Sequence, residues 1–182
     1  MTPPSCFRTC AAGVLLLSLV ARVSPAAAEP SAADRAVAES LFQDGRRLLD
    51  AGQIAAACPK FAESQRLAPA LGSLLNLAAC HELEGKTASA WVEFSEAATL
   101  AERSGARERA AYATERAQAL GRELATVTIT VPAWREGTSV TLDGREIRPA
   151  AFGTAIPIDP GEHRVQASAP DRRTWERSLS VG

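Results

Sequence analysis

The segment Ala38–Pro69, AESLFQDGRRLLDAGQIAAACPKFAESQRLAP, decides the reading of this chain, because Leu71–Ala101, LGSLLNLAACHELEGKTASAWVEFSEAATLA, writes the same pattern again. Set 33 residues apart, Gly52 falls on Gly85, Ala57 on Ala90, Phe61 on Phe94, Ser64 on Ala97 and Leu41 on Leu74. A unit repeated at this period buries its apolar face against its own copy. Leu41 and Leu48 lie on one face of a first helix, Gly52 breaks it, and Ala57 and Phe61 line the inner face of a second helix that ends at Pro69. Small Ala opposite large Phe lets two antiparallel helices approach closely. Ser31 is placed to cap the first helix, expected over Ser31 to Leu49. Pro59 stands inside the second, where it removes a donor and crowds the preceding turn, so that helix is expected to start late or to kink.

Downstream, Gly105 to Leu124 carries Tyr112, Ala113, Ala117 and Leu120 on one stripe among Arg107, Glu108, Arg109, Glu115 and Arg116. It reads as a fifth helix that caps the repeat stack and solvates its outer face. At Ala125 the period changes from helix to strand. Val127, Ile129 and Val131 alternate with Thr126, Thr128 and Thr130, the pattern of a half-buried strand. Turn signals at Glu136-Gly137, Asp143-Gly144, Asp159-Pro160-Gly161 and Ala169-Pro170-Asp171 then separate short runs at 139–142, 154–158, 163–167 and 175–181. Asp143-Gly144 is the strongest hairpin signal. The expected fold class is α+β with two segregated domains, helical hairpin repeats over 29–124 followed by a small antiparallel β-sandwich over 125–182.

The first 28 residues stand apart from that fold. Arg8, the apolar run Ala11 to Ala21 and the small residues Ala26-Ala27-Ala28 before Glu29 have the order of a secretory signal peptide. An apolar run of 11 residues is short against the about 20 that cross a bilayer. Cys6 and Cys10 precede the run, where a lipoprotein cysteine would follow it. The mature chain is therefore expected to be periplasmic or secreted, without a lipid anchor and without a transmembrane helix. Of 20 basic residues, Arg8 and Arg22 leave with the leader, so 18 face 21 acidic ones for a net charge of −3. That mixed, near-neutral balance gives no electrostatic reason for nucleic acid as a partner.

Two cysteines remain, Cys58 and Cys80. In an exported chain they read as a disulfide, with two buried free thiols as the alternative.

The doubled segment resembles the tetratricopeptide repeat, through Leu41, Gly45, Leu48, Gly52, Ala57, Phe61, Ser64 and Pro69 in one copy and Leu74, Leu77, Ala78, His81, Gly85, Ala90, Phe94 and Ala97 in the other. It departs from that pattern at Asp44, Leu48 and Ser64, and Glu102 replaces a terminating proline, so the last helix of the second copy is expected to run on. The resemblance implies a scaffold whose inner face binds a protein or peptide segment. It turns Phe42, Arg46, Leu49, Leu75, Asn76 and Ala79 toward that groove, with Asn76 where related repeats hold a peptide backbone. It also makes Cys58 and Cys80 packing neighbours on adjacent helices, and places His81 in the core.

The last third of the chain resembles a PEGA domain, a short bacterial extracytoplasmic β-module, through Val140, Leu142, Asp143, Gly144, Gly153, Thr154, Ile156, Pro157, Pro160, Gly161, His163 and Val165. The naming tetrapeptide is replaced by Pro132 to Gly137, and Asp171-Arg172 stands where Gly-Tyr is usual.

Residues for catalysis are not assembled in the sequence. The two histidines, His81 and His163, fall in different units, and no Gly-x-Ser-x-Gly turn, phosphate-cradling glycine loop or zinc-ligand spacing accompanies them. No catalytic, cofactor-binding or metal-binding residue is therefore expected, and the chain reads as a non-enzymatic adaptor or scaffold of the cell envelope. The alternative is attachment to cell-wall or surface glycan through the sandwich. Trp134 would be its exposed platform, because Trp175 alternates with Leu179 and Val181 and is expected in the core.

Overall fold

The computed structural model describes residues 29–182, so the expected leader over 1–28 lies outside the described residues. Five helices come first: α1 (Ala32–Asp50), α2 (Ile54–Leu67), α3 (Leu71–Leu83), α4 (Thr87–Arg103) and α5 (Arg107–Gly121). Six strands follow: β1 (Ala125–Thr128), β2 (Ser139–Leu142), β3 (Arg145–Glu146), β4 (Ala155–Ile158), β5 (Gly161–Ser168) and β6 (Trp175–Val181). The protein is α+β, helical in its first part and antiparallel β in its second. No helix among the described residues is long and apolar enough to cross a membrane.

α1 begins at a capping box. The Ser31 hydroxyl accepts from the Asp34 N–H at 3.0 Å, and the Asp34 carboxylate accepts in return from the Ser31 N–H. Each of α1, α3 and α4 ends one residue before or at a glycine-containing turn, and Gly52, Gly85 and Gly105 all take a left-handed φ of 72–76° there. Gly105 stops α4 at Arg103, so the expected extension past Glu102 is a single residue.

Where α1 crosses α2, Gly45 is required by contact. A Cβ there would lie 2.8 Å from Cε1 of Phe61, which is fully buried. Phe42 meets the same ring edge-on, with centroids 5.9 Å apart. Ser64, where the repeat pattern prefers alanine, is buried and donates through Oγ to the Ala38 carbonyl at 2.8 Å, tying the two helices together. In the second copy Ala78 and Phe94 take the places of Gly45 and Phe61, and both are fully buried.

Pro59 does not delay α2, which starts five residues earlier and carries it inside. The missing donor leaves one turn of the ladder open on the exposed side of the helix. The inner side, with Ala57, Cys58, Phe61 and Ser64, is buried and holds the helix together. A disulfide joins Cys58 on α2 to Cys80 on α3 and so links the two copies.

The strands form two antiparallel sheets, β1-β4 and β3-β2-β5-β6, packed around Ile129, Val140, Leu142, Ile147, Ile158 and Val165. Asp143 and Gly144 carry the β2–β3 turn with φ of 51° and 78°, the twist-matched turn an Asp-Gly pair favours. Regular pairing of β1 stops at Thr128, short of the expected Val131.

Two expectations about single residues change. Trp175 is not core: it is 51% exposed, because it lies at the end of an edge strand, beyond Leu179 and Val181, which do pack inward. His81 is not simple packing either. Its Nδ1 lies 2.9 Å from the Glu93 carboxylate and pairs α3 with α4.

Candidate partner-binding surfaces

Phe42, Arg46 and Leu49 share one side of α1, and Leu75, Asn76 and Ala79 cluster on α3. The two helices meet at Phe42, whose ring would touch a Cβ on Gly72 at 3.8 Å. Each of the six has a different share in the fold. Phe42 and Leu49 pack against the Phe61 cluster, whereas Leu75 and Ala79 pack against the Phe94 cluster beside Trp91. Asn76 donates from Nδ2 to the Gly72 carbonyl of its own helix at 2.8 Å, leaving its side-chain oxygen free of any partner among the described residues. Arg46 is exposed. Further along, Arg116 of α5 pairs with Glu82 of α3.

A second assembly joins the helices to the sheets. No side chain at the start of α4 caps it, and its first turn has no acidic residue. Asp159, from the β4–β5 turn, supplies both: one carboxylate oxygen accepts from the Ser89 N–H at 2.9 Å and the other from the Ser89 hydroxyl at 2.5 Å. His163 holds that turn in place. Its Nε2 meets the Asp159 carbonyl and its Nδ1 the Asp143 carboxylate, each at 2.7 Å. Both partners are acceptors, so both ring nitrogens must donate and the arrangement fits the imidazolium.

The energetics agree with that geometry. Burial, the largest single influence, pushes His163 down, but the bonds to Asp143 and Asp159 and the two aspartate charges together raise it above 6.5. Asp143 is lowered from 3.8 by its bond to His163 first and the Arg164 N–H second. A raised histidine contributes stability fully below its unfolded value and loses it as pH rises through the folded one. A lowered aspartate contributes above its unfolded value and loses it as pH falls through the folded one. Both contributions are therefore complete between pH 3.8 and 6.5. Denaturant titrations across pH should show stability falling above that window, and Asp143→Asn, which keeps the left-handed turn residue, should flatten the fall. A second expected outcome concerns Asp159→Ala, which removes the cap of α4 and should cost about 1 kcal/mol. Amide exchange at Ser89 reports it directly.

Residue type alone does not single out Asp159 or His163 in the sequence. The bond from Ser89 to Asp159 joins positions 70 residues apart, a distance no local pattern carries. Trp134, the platform expected for glycan, is 44% exposed. Among the described residues no group of three or more His, Cys, Asp or Glu side chains gathers that could hold a metal ion. No protein-family model, curated protein or solved structure matches the chain.

Proposed function

We propose that this chain is an exported, non-enzymatic scaffold of the cell envelope. Tetratricopeptide-type hairpins hold a peptide segment of a protein partner along α1 and α3, and a PEGA-like sandwich docks or spaces the helices. The observation that supports this most is the residual exposure of the face shared by those two helices. Phe42, Leu49, Leu75, Asn76 and Ala79 are all only half-buried although each lies beside a closed core, and Arg46 is exposed next to them. A covering segment would bury that apolar strip and find in Arg46 and the Asn76 side-chain oxygen two groups able to hold its backbone. Export is supported by the Cys58–Cys80 disulfide, which suits an oxidising compartment.

The test is affinity capture from envelope extract by the mature chain. Arg46→Glu and Asn76→Lys should each lower recovery of the partner about tenfold while the circular dichroism of the helices stays unchanged. Undiminished recovery would overturn the groove. The exposed ring of Trp134 favours a second reading, attachment of the sandwich to cell-wall glycan. Sedimentation of the chain with purified cell wall, lost in Trp134→Ala, would support it.

A further inference from the structure

The sandwich has an open side. Its first sheet contains two strands and its second four, and β1 has a strand partner on one edge only. The direction of each backbone group on β1 follows from its register. Thr126 faces Pro157, which has no N–H, so this is a non-hydrogen-bonded pair, and the bonds to β4 come from Ala125 and Val127. Gly153 donates to the Ile129 carbonyl at 2.9 Å and continues the same phase. The N–H and C=O groups of Thr126, Thr128 and Thr130 therefore point the other way, to an edge where no strand lies among the described residues.

Beside that edge runs a groove of about 460 Å³. Its floor is Val140, Val165 and Ala167, its far wall is β6, and Val131 lines the β1 side. Two residues of β6 stand in it. Trp175 is 51% exposed, and Arg177 lies opposite Val165 on the face that Leu179 and Val181 use to pack inward. Glu176, the adjacent carboxylate, is on the opposite face and is held by Arg164 and Gln166. Among the described residues Arg177 thus has a guanidinium in an apolar groove and no carboxylate with it. A charged residue directed inward on an edge strand also disfavours pairing with an unrelated strand, so the groove selects as well as binds.

We propose that this groove takes an extended peptide strand of a partner protein, which adds to the open edge of β1 through Thr128 and Thr130, lays alternate apolar side chains over Val165 and Ala167, and sets a carboxylate against Arg177. Backbone pairing supplies the binding, and the acidic side chain fixes the register. This site is separate from the α1–α3 face and stands or falls without it.

The experiment screens a random peptide display library on the folded mature chain, residues 29–182, and resynthesises the enriched peptides. Selected sequences should alternate apolar residues and carry Asp or Glu at one fixed position. Replacing that acid by its amide should weaken binding about tenfold, and Arg177→Glu should switch the selected residue to Lys or Arg. Thr128→Pro should abolish binding while leaving the fold intact, since proline is tolerated on an edge strand where the N–H faces solvent. Should that variant not fold, a peptide N-methylated at alternate amides tests the same bonds on the unaltered chain, and its binding should be lost. Enrichment without alternation, selection unchanged by Arg177→Glu, or full binding of the N-methylated peptide would each overturn the proposal. So would displacement of the peptides by soluble cell-wall glycan, or self-association of the chain that Thr128→Pro abolishes, which would give the edge to a second copy.

Discussion

Phe61→Ala is expected to destabilise the helical part by about 3–5 kcal/mol. The ring is fully buried, meets Phe42 edge-on and fills the space left by the missing Cβ of Gly45. Truncation therefore removes both its transfer free energy and its contacts with α1, which the Ser64 bond to the Ala38 carbonyl holds back from collapsing into the cavity. Chemical denaturation followed through the helical signal measures the loss. The complementary change sharpens the assignment. Gly45→Ala alone pushes a methyl group to 2.8 Å from the ring and should cost 1–3 kcal/mol by overpacking, in rough terms. Combined with Phe61→Leu it should cost less than the two changes summed, because the smaller side chain makes room for the methyl.

Loss of the Cys58–Cys80 bond is the second large effect. The cysteines are 22 positions apart, and the chain entropy released by opening such a loop corresponds to about 3 kcal/mol. The bond has a further role here because it joins the two copies of the repeat. Its sulfurs lie in a cluster with Ala57, Phe61 and Leu77, which buries both cysteines. Cys58→Ala with Cys80→Ala should lower the denaturation midpoint without changing the helical spectrum of the native chain, and reductant should lower the midpoint of the unaltered chain similarly. Equal midpoints with and without reductant would show that the bond does not stabilise the fold.

The helical half was legible because its determinants are local and recur. The spacing of Gly52, Ala57 and Phe61, and again of Gly85, Ala90 and Phe94, carries both the helix breaks and the inner face. The one local conflict, Pro59, was resolved against its propensity by burial on the opposite side of α2 and by the bond at Cys58. Strand positions were equally legible from alternation and turn residues, as at Asp143-Gly144, but pairing was not. Which strand joins which, and that β1 keeps an open edge, depends on contacts between distant segments.

Trp175 shows the same limit from the other direction. Its alternation with Leu179 and Val181 is real, and all three point to one face of β6. Alternation gives the face, not the depth, and Trp175 is the first residue of β6, an edge strand. The intervening Arg177 was the signal available in the sequence, a charge in the apolar phase of a strand. Asp159 was legible only as a turn residue. That its carboxylate reaches across to Ser89 and caps α4 could not be read from spacing, since helix caps are ordinarily supplied by the residue just before the helix.

For the α1–α3 face the sequence named the positions and the structure gives them unequal shares. Four of the six are partly committed to packing, so the free energy of binding there should concentrate in Arg46, Asn76 and the exposed edge of Phe42. Photo-crosslinking in the cell measures this most directly, with a benzophenone side chain placed singly at Arg46, at Asn76 and, as a control, at the exposed Glu102. The scaffold reading expects adducts with one and the same protein from Arg46 and Asn76 and none from Glu102. Adducts in equal yield from all three positions, or from none, would contradict it.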